Sequence, residues 1–229
     1  MSLVVDAKGR DLRSVSVELK EAAAKEPVVV QGAAHLHGLA AGLKSGDVTV
    51  IGNAGDYLGA LNDGATIRVK RNAGRYLADN MTRGTVIVDG DAGYGVGAYC
   101  YGGVVVVKGS AGDFTAVMNK GATIIVESNV GDEVATYMLA GDLIIVGNAG
   151  HNLGNYLIRG NIYIGGNWES LGRNTLLEEM SQNDQVRLRG YFDEYGIMAD
   201  PATFKKIVRL SEKPFYKAKA PAQDRSPRK

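Results

Sequence analysis

Aliphatic residues recur along this chain at one fixed spacing. Steps of nineteen from Val48 meet Val48, Ile67, Val86, Val105, Ile124, Leu143 and Ile162. Two residues further on, the same steps meet Val50, Val69, Val88, Val107, Val126, Ile145 and Ile164. Aliphatics at i and i+2 project from one face of a β-strand. A column of small polar residues follows: Asn53, Asn72, Asp91, Ser110, Asn129, Asn148 and Asn167. Next come Gly55, Gly74, Gly93, Gly112, Gly131 and Gly150, and four residues beyond them Gly59, Ala78, Gly97, Ala116, Ala135 and Gly154. Asn and Gly tolerate a left-handed backbone, so an Asn-x-Gly step turns the chain at little cost. The small column marks a tight corner.

A nineteen-residue unit holds two or three short strands and cannot bury its own apolar face, whereas stacking on its neighbours can. The pattern predicts an all-β fold: a single-stranded right-handed parallel β-helix (solenoid) of about seven 19-residue coils, with short helices at both ends. A shift of 57 residues lays 46–102 onto 103–159 with many identities, such as Gly-Ala-Thr-Ile at 64–67 and 121–124. That points to a three-coil duplication. Val28-Val29-Val30 reads as a degenerate first coil, with Val29 nineteen before Val48.

The ends break the period. Residues 1–27 form an N-terminal helical segment with a helix over 12–26, and 28–172 form the β-helix. Residues 173–218 read as a helical extension. A helix over 174–190 would carry Leu176, Leu177 and Met180 on one face, and a second over 201–210 would start at Asp200-Pro201. Residues 219–229 read as a disordered basic tail.

Composition narrows the chemistry. The 31 glycines against 5 prolines fit repeated turns rather than collagen or a linker. Twenty-six basic residues balance 25 acidic ones, which gives no electrostatic case for nucleic acid or an anionic membrane. One cysteine rules out an intrachain disulfide framework and a CxxC metal site. No apolar run approaches the ~20 residues of a membrane helix, and the expected setting is cytoplasmic.

Few residues are candidates for catalysis or binding. His35 and His37 would share a face on a strand and could hold a metal, but no Cys or third His lies near them in sequence. A polar pair on a loop is the plainer reading. His151 lies alone in a turn. Cys100 falls in the column of Asn62, Met81, Asn119 and Met138, which reads as buried filler rather than a nucleophile. Gly93-Tyr94-Gly95-Val96-Gly97 contains GxGxG, but a dinucleotide fingerprint needs a helix after it and an acidic residue about 20 further on. Turn hydrogen bonding accounts for Asp56, Asp91 and Asp113. The expected catalytic, cofactor-binding and metal-ligating residues are therefore none. Hexapeptide acyltransferase solenoids use coils of eighteen, and carbohydrate-active β-helices carry charged clusters or aromatic platforms; neither pattern is met.

The spacing GxxGxxxG stands intact at Gly52-Asn-Ala-Gly55-Asp-Tyr-Leu-Gly59, at Gly90–Gly97 and at Gly147–Gly154, with Ala116 replacing the last glycine of 109–116. Over roughly 28–175 this resembles the GXGXG β-helix domain at the C-terminal end of the glutamate synthase large subunit. The segments SLG at 170–172, YGI at 195–197 and FKKIV at 204–208 resemble the tails of stand-alone family members. The resemblance implies a non-catalytic subunit of a hetero-oligomer. Its partners would be a class II glutaminase-like subunit and an FMN-binding glutamate synthase-like subunit, as in N-methylglutamate synthase or a split glutamate synthase. FMN, with or without an iron–sulfur cluster, would sit in the partner, and this chain would carry no cofactor. A similar helix serves as the C subunit of formylmethanofuran dehydrogenase and of the related formyltransferase/hydrolase complex. Replacing Gly93 or Gly112 with Val is expected to harm folding or assembly rather than a chemical step.

Overall fold

The computed structural model describes residues 2–212; the tail assigned to 219–229 lies outside the described residues. Eleven strands form one sheet in the order β1-β2-β3-β4-β5-β6-β7-β8-β9-β11-β10. The strands are β1 (Leu3–Asp6), β2 (Val28–Gln31), β3 (Asp47–Ile51), β4 (Asp63–Val69), β5 (Arg83–Val88), β6 (Val104–Val107), β7 (Lys120–Val126), β8 (Ala140–Ile145), β9 (Asn161–Ile164), β10 (Thr175–Glu178) and β11 (Lys205–Arg209). From β1 to β9 every neighbouring pair is parallel.

The nineteen-residue columns are the register of this sheet. Val48 lies opposite Ile67, Ile67 opposite Val86, Val86 opposite Val105, Val105 opposite Ile124, Ile124 opposite Leu143 and Leu143 opposite Ile162. All of these side chains are buried inside the solenoid. Each coil returns to the same wall, so the parallel β-helix of about seven coils is the observed fold. A coil contains one strand and a single bridging residue rather than two or three strands, the bridges running through Ala73, Ala92, Ala111 and Val130.

Several local expectations change. The first coil pairs Val28 with Val48 and Val30 with Val50, a spacing of twenty, so Val28 and Val30 point inward instead of Val29. A one-residue slip in a strand exchanges its faces, and burial of the aliphatic pair decides the register. The N-terminal segment is helical in α1 (Leu12–Ala23), which buries Val15 and Leu19, but it also contributes β1 to the sheet. The helix expected over 174–190 is instead β10 followed by α2 (Gln182–Tyr195). Ser181 caps α2 in a capping box with Asp184, placing the helix start beyond Leu176 and Leu177. Asp200 does cap a turn at Pro201–Thr203, but the chain then extends into β11 rather than a helix. The edge of β9 was open there, and Ile207 and Val208 fit a pleated surface against it. β11 runs antiparallel between β9 and β10.

A second apolar cluster lies outside the solenoid. Ile87, Val106, Ile125, Ile144 and Tyr163, again nineteen apart, point outward and are covered by Leu188, Phe192, Ile197 and Phe204 of the C-terminal extension. No helix among the described residues is long and apolar enough to cross a membrane.

Candidate functional site

The GxxGxxxG segments form one corner of the solenoid, and this corner carries every glycine-rich motif in the sequence. After each Asn-x-Gly turn the backbone takes three left-handed residues at alternating positions, such as Tyr57, Gly59 and Leu61, or Phe114, Ala116 and Met118. The middle one is the small Gly/Ala column. A Cβ at Gly59 would sit 3.1 Å from Ile67 Cδ1, so the column is kept small by the inward aliphatics.

Side-chain ladders tie the turns together. The Asn72 N–H donates to Asn53 Oδ1 at 3.2 Å, Asp91 N–H to Asn72 Oδ1 at 3.0 Å and Ser110 N–H to Asp91 Oδ1 at 2.8 Å. A second ladder runs alongside, with Arg75 N–H donating to Asp56 Oδ1 at 2.7 Å and Asp132 N–H to Asp113 Oδ1 at 2.9 Å. These are the turn bonds expected of Asp56, Asp91 and Asp113.

The histidines belong to this framework. His37 Nδ1 accepts the Asp56 N–H at 3.1 Å, the place that Asp56 Oδ1 fills one coil later. His151 closes the same column at its other end, its N–H donating to Asp132 Oδ1 at 2.6 Å. His35 contacts the Arg10 carbonyl through Nε2 at 3.0 Å. His35 and His37 lie on an exposed turn on either side of buried Leu36, not on a strand. Among the described residues no three His, Cys, Asp or Glu side chains are arranged to hold a metal ion.

Cys100 is fully buried and its thiol donates to the Ala78 carbonyl at 3.0 Å. Burial pushes the thiol up to about 12, so it stays protonated near neutral pH, the opposite of what a nucleophile needs. Its column partners Asn62, Met81, Asn119 and Met138 are equally buried. The GxGxG glycines have no amide to spare for a phosphate. Gly93 N–H donates to Gly74 O, Gly95 N–H to Asp113 O and Gly97 N–H to Leu77 O, at 3.1, 2.9 and 2.8 Å.

The corner also presents a row of rings that the sequence reading passed over. Tyr57 stacks on Tyr76 at 4.9 Å between centroids, Tyr76 meets Tyr94 at 5.3 Å, and Tyr94 meets Phe114 at 5.1 Å. Tyr137 stacks on Tyr156 at 5.5 Å. Leu61, Tyr99 and Tyr101 stand exposed beside them, with Lys120 over the Tyr101 ring at 4.1 Å. The nineteen-residue step from Tyr99 through Met118 to Tyr137 and Tyr156 was the available signal. Rings stacked on one another offer edges rather than free faces, a poor sugar platform and a good protein contact.

Titratable groups gather instead under α2. Asp184, almost fully buried, accepts from Tyr163 Oη at 2.7 Å, from Ser181 Oγ at 2.6 Å and from Lys206 Nζ at 3.2 Å. Burial alone would raise its pKa, but the bonds from Ser181, Tyr163 and Lys206 outweigh it and hold the carboxyl well below the usual range. Burial and the bond to Asp184 push the Tyr163 hydroxyl up. Arg187 pairs with Asp142 at 3.2 Å. Nearby, a cavity of about 260 Å³ is lined by Thr66, Arg68, Thr85, Ile87, Lys108, Glu194 and Tyr195. Its Lys108 is engaged by the Tyr195 carbonyl at 3.3 Å and by Glu127 at 3.6 Å. These groups hold the extension on the sheet.

A family model described as the GXGXG motif matches residues 39–189 of the chain. No curated protein matches it.

Proposed function

The chain belongs to the GXGXG motif family, and from that premise we propose that it is a non-catalytic structural subunit of a multi-subunit enzyme of the glutamate synthase family. The enzyme we favour is N-methylglutamate synthase, which converts methylamine and L-glutamate to N-methylglutamate and ammonia. In this reading the chain packs between a class II glutaminase-like subunit and an FMN-binding synthase-like subunit, and FMN resides in the latter.

The observation that carries the reading is where this chain's polar groups go. His37, His151, Asp56, Asp91 and Asp113 serve ladders between coils, the GxGxG amides bond to neighbouring turns, and Cys100 is buried and protonated. Meanwhile the corner offers tyrosines and leucine, residue types suited to protein contact. The role this supports is placement of other chains. The same role in a split glutamate synthase, or beside formylmethanofuran-processing subunits, is what the test separates.

Affinity purification of the chain from its native cells, with partners identified by mass spectrometry, tests the proposal. Glutaminase-like and flavin-containing synthase-like chains should arrive together, and the complex should use methylamine. Reductant-dependent glutamate formation instead would make it a glutamate synthase, and formyltransferase or hydrolase chains would move it to the other complex. The chain by itself should neither retain FMN nor hydrolyse glutamine; tight FMN retention would sink the proposal.

A further inference from the structure

The two edges of the sheet are finished differently. At β1 the outward carbonyl of Asp6 accepts from Arg10 Nη1 at 3.3 Å, and Asp6 Oδ1 takes the Lys8 N–H at 3.0 Å. Charge and a local bond blunt that edge against strand addition. The edge at β10 carries no such device. Its residues are Thr-Leu-Leu-Glu, with no proline and no lysine, and Leu176 and Leu177 are exposed by 37% and 50%.

The ladder with β11 tells which backbone groups this edge offers. Leu210 N–H donates to Asn174 O at 2.9 Å, and Thr175 lies opposite Arg209. Alternation in an antiparallel ladder then turns the groups of Asn174, Leu176 and Glu178 toward β11 and those of Thr175 and Leu177 outward.

We propose that β10 pairs with β10 of a second copy of this chain, antiparallel about a two-fold axis, joining two solenoids end to end through one continuous sheet. Antiparallel pairing must match outward residues with outward residues. Centred on Leu176, it sets Thr175 opposite Leu177 of the other copy and faces the two Leu176 side chains across the axis. The same register continues to Arg173 opposite Glu179 of the second copy, twice by symmetry. Both side chains are exposed, and Glu179 has no ion pair among the described residues. A parallel pairing would place like charges together, and registers centred on Thr175 or Leu177 would leave Arg173 without Glu179. Charge thus selects one register among those that backbone parity allows. The occupant is a second copy because the edge complements itself.

Sedimentation velocity of the purified full-length chain over a concentration series tests this. The wild type should sediment as a dimer. Leu177→Pro removes an outward N–H while leaving the ladder to β11, and should give a monomer with an unchanged circular dichroism spectrum. Arg173→Glu and Glu179→Arg should each weaken dimerisation about tenfold or more, and the double variant should recover most of the loss. A monomer at all concentrations overturns the proposal. So does a dimer indifferent to these substitutions, and so does a chain that dimerises only once residues 213–229 are removed.

Discussion

The two halves of the solenoid, residues 46–102 and 103–159, share an interior and differ in what they show outside. Inside, Asn62 donates to the Ala65 carbonyl and accepts the Ala65 N–H, while Asn119 does the same with Ala122. Gly84 and Gly141 both turn at positive φ, at 92° and 89°, each against the carbonyl of the preceding coil. Outside, Thr49, Arg68 and Ile87 of the first half correspond to Val106, Ile125 and Ile144 of the second. The apolar set, with Ile87 at its border, is the one that α2 covers. Stacking dictates the interior of every coil alike, because each inward side chain meets its own counterparts above and below. The outer face answers only to whatever docks on it.

The largest effects should come where the halves agree. Gly84→Val and Gly141→Val each combine a left-handed φ with a clash against the Ala65 or Ala122 carbonyl, and each should destabilise by roughly 4 kcal/mol or more. Thermal unfolding of both variants measures this. If only one is damaging, the halves are not the equivalent frameworks described above. Next is the face where they differ. Ile125→Ala should cost about 2–5 kcal/mol, while Arg68→Ala, on the uncovered counterpart, should stay within about 1 kcal/mol despite losing its pair with Asp89. Equal costs in urea titrations would mean that α2 does not discriminate the halves.

Smaller and symmetric losses are expected from Asn62→Ala and Asn119→Ala, about 1–3 kcal/mol each. Each variant strands the buried N–H and carbonyl of one alanine. The gentlest probe is acid. The Asp184 carboxyl is held below its unfolded value of about 3.9, so its contribution is present above that pH and fades as pH falls toward the folded value. Hydrogen exchange should show 182–195 losing protection below about pH 4 while the strands of 46–102 keep theirs. Simultaneous loss would mean that α2 and the solenoid open as one unit.

Much of this molecule was legible from spacing. The columns beginning at Val48 and Val50 predicted both strand and register, because in a stack of equal coils sequence period and spatial neighbour are the same thing. The turn roles of Asp56, Asp91 and Asp113 followed from the same columns. The ends were not legible in this way. Leu176, Leu177 and Met180 have helical spacing, yet the two leucines lie in β10, and Asp200-Pro201 opens a single turn before a strand. Those segments have no repeat to average over, and their conformation is settled by which surface is vacant beside them.

The sequence by itself determined the solenoid, since nineteen-residue spacing of inward aliphatics and turn glycines admits stacking and little else. It also determined that Cys100 would be interior, through the column it shares. Only the tertiary structure decided that His37 and His151 end one turn ladder, that the outward column from Ile87 to Tyr163 is covered by the chain's own extension, and that the sheet finishes at β10. These depend on contacts between segments with unrelated periods, and for such contacts free energy is set by the partner surface, which local pattern does not encode.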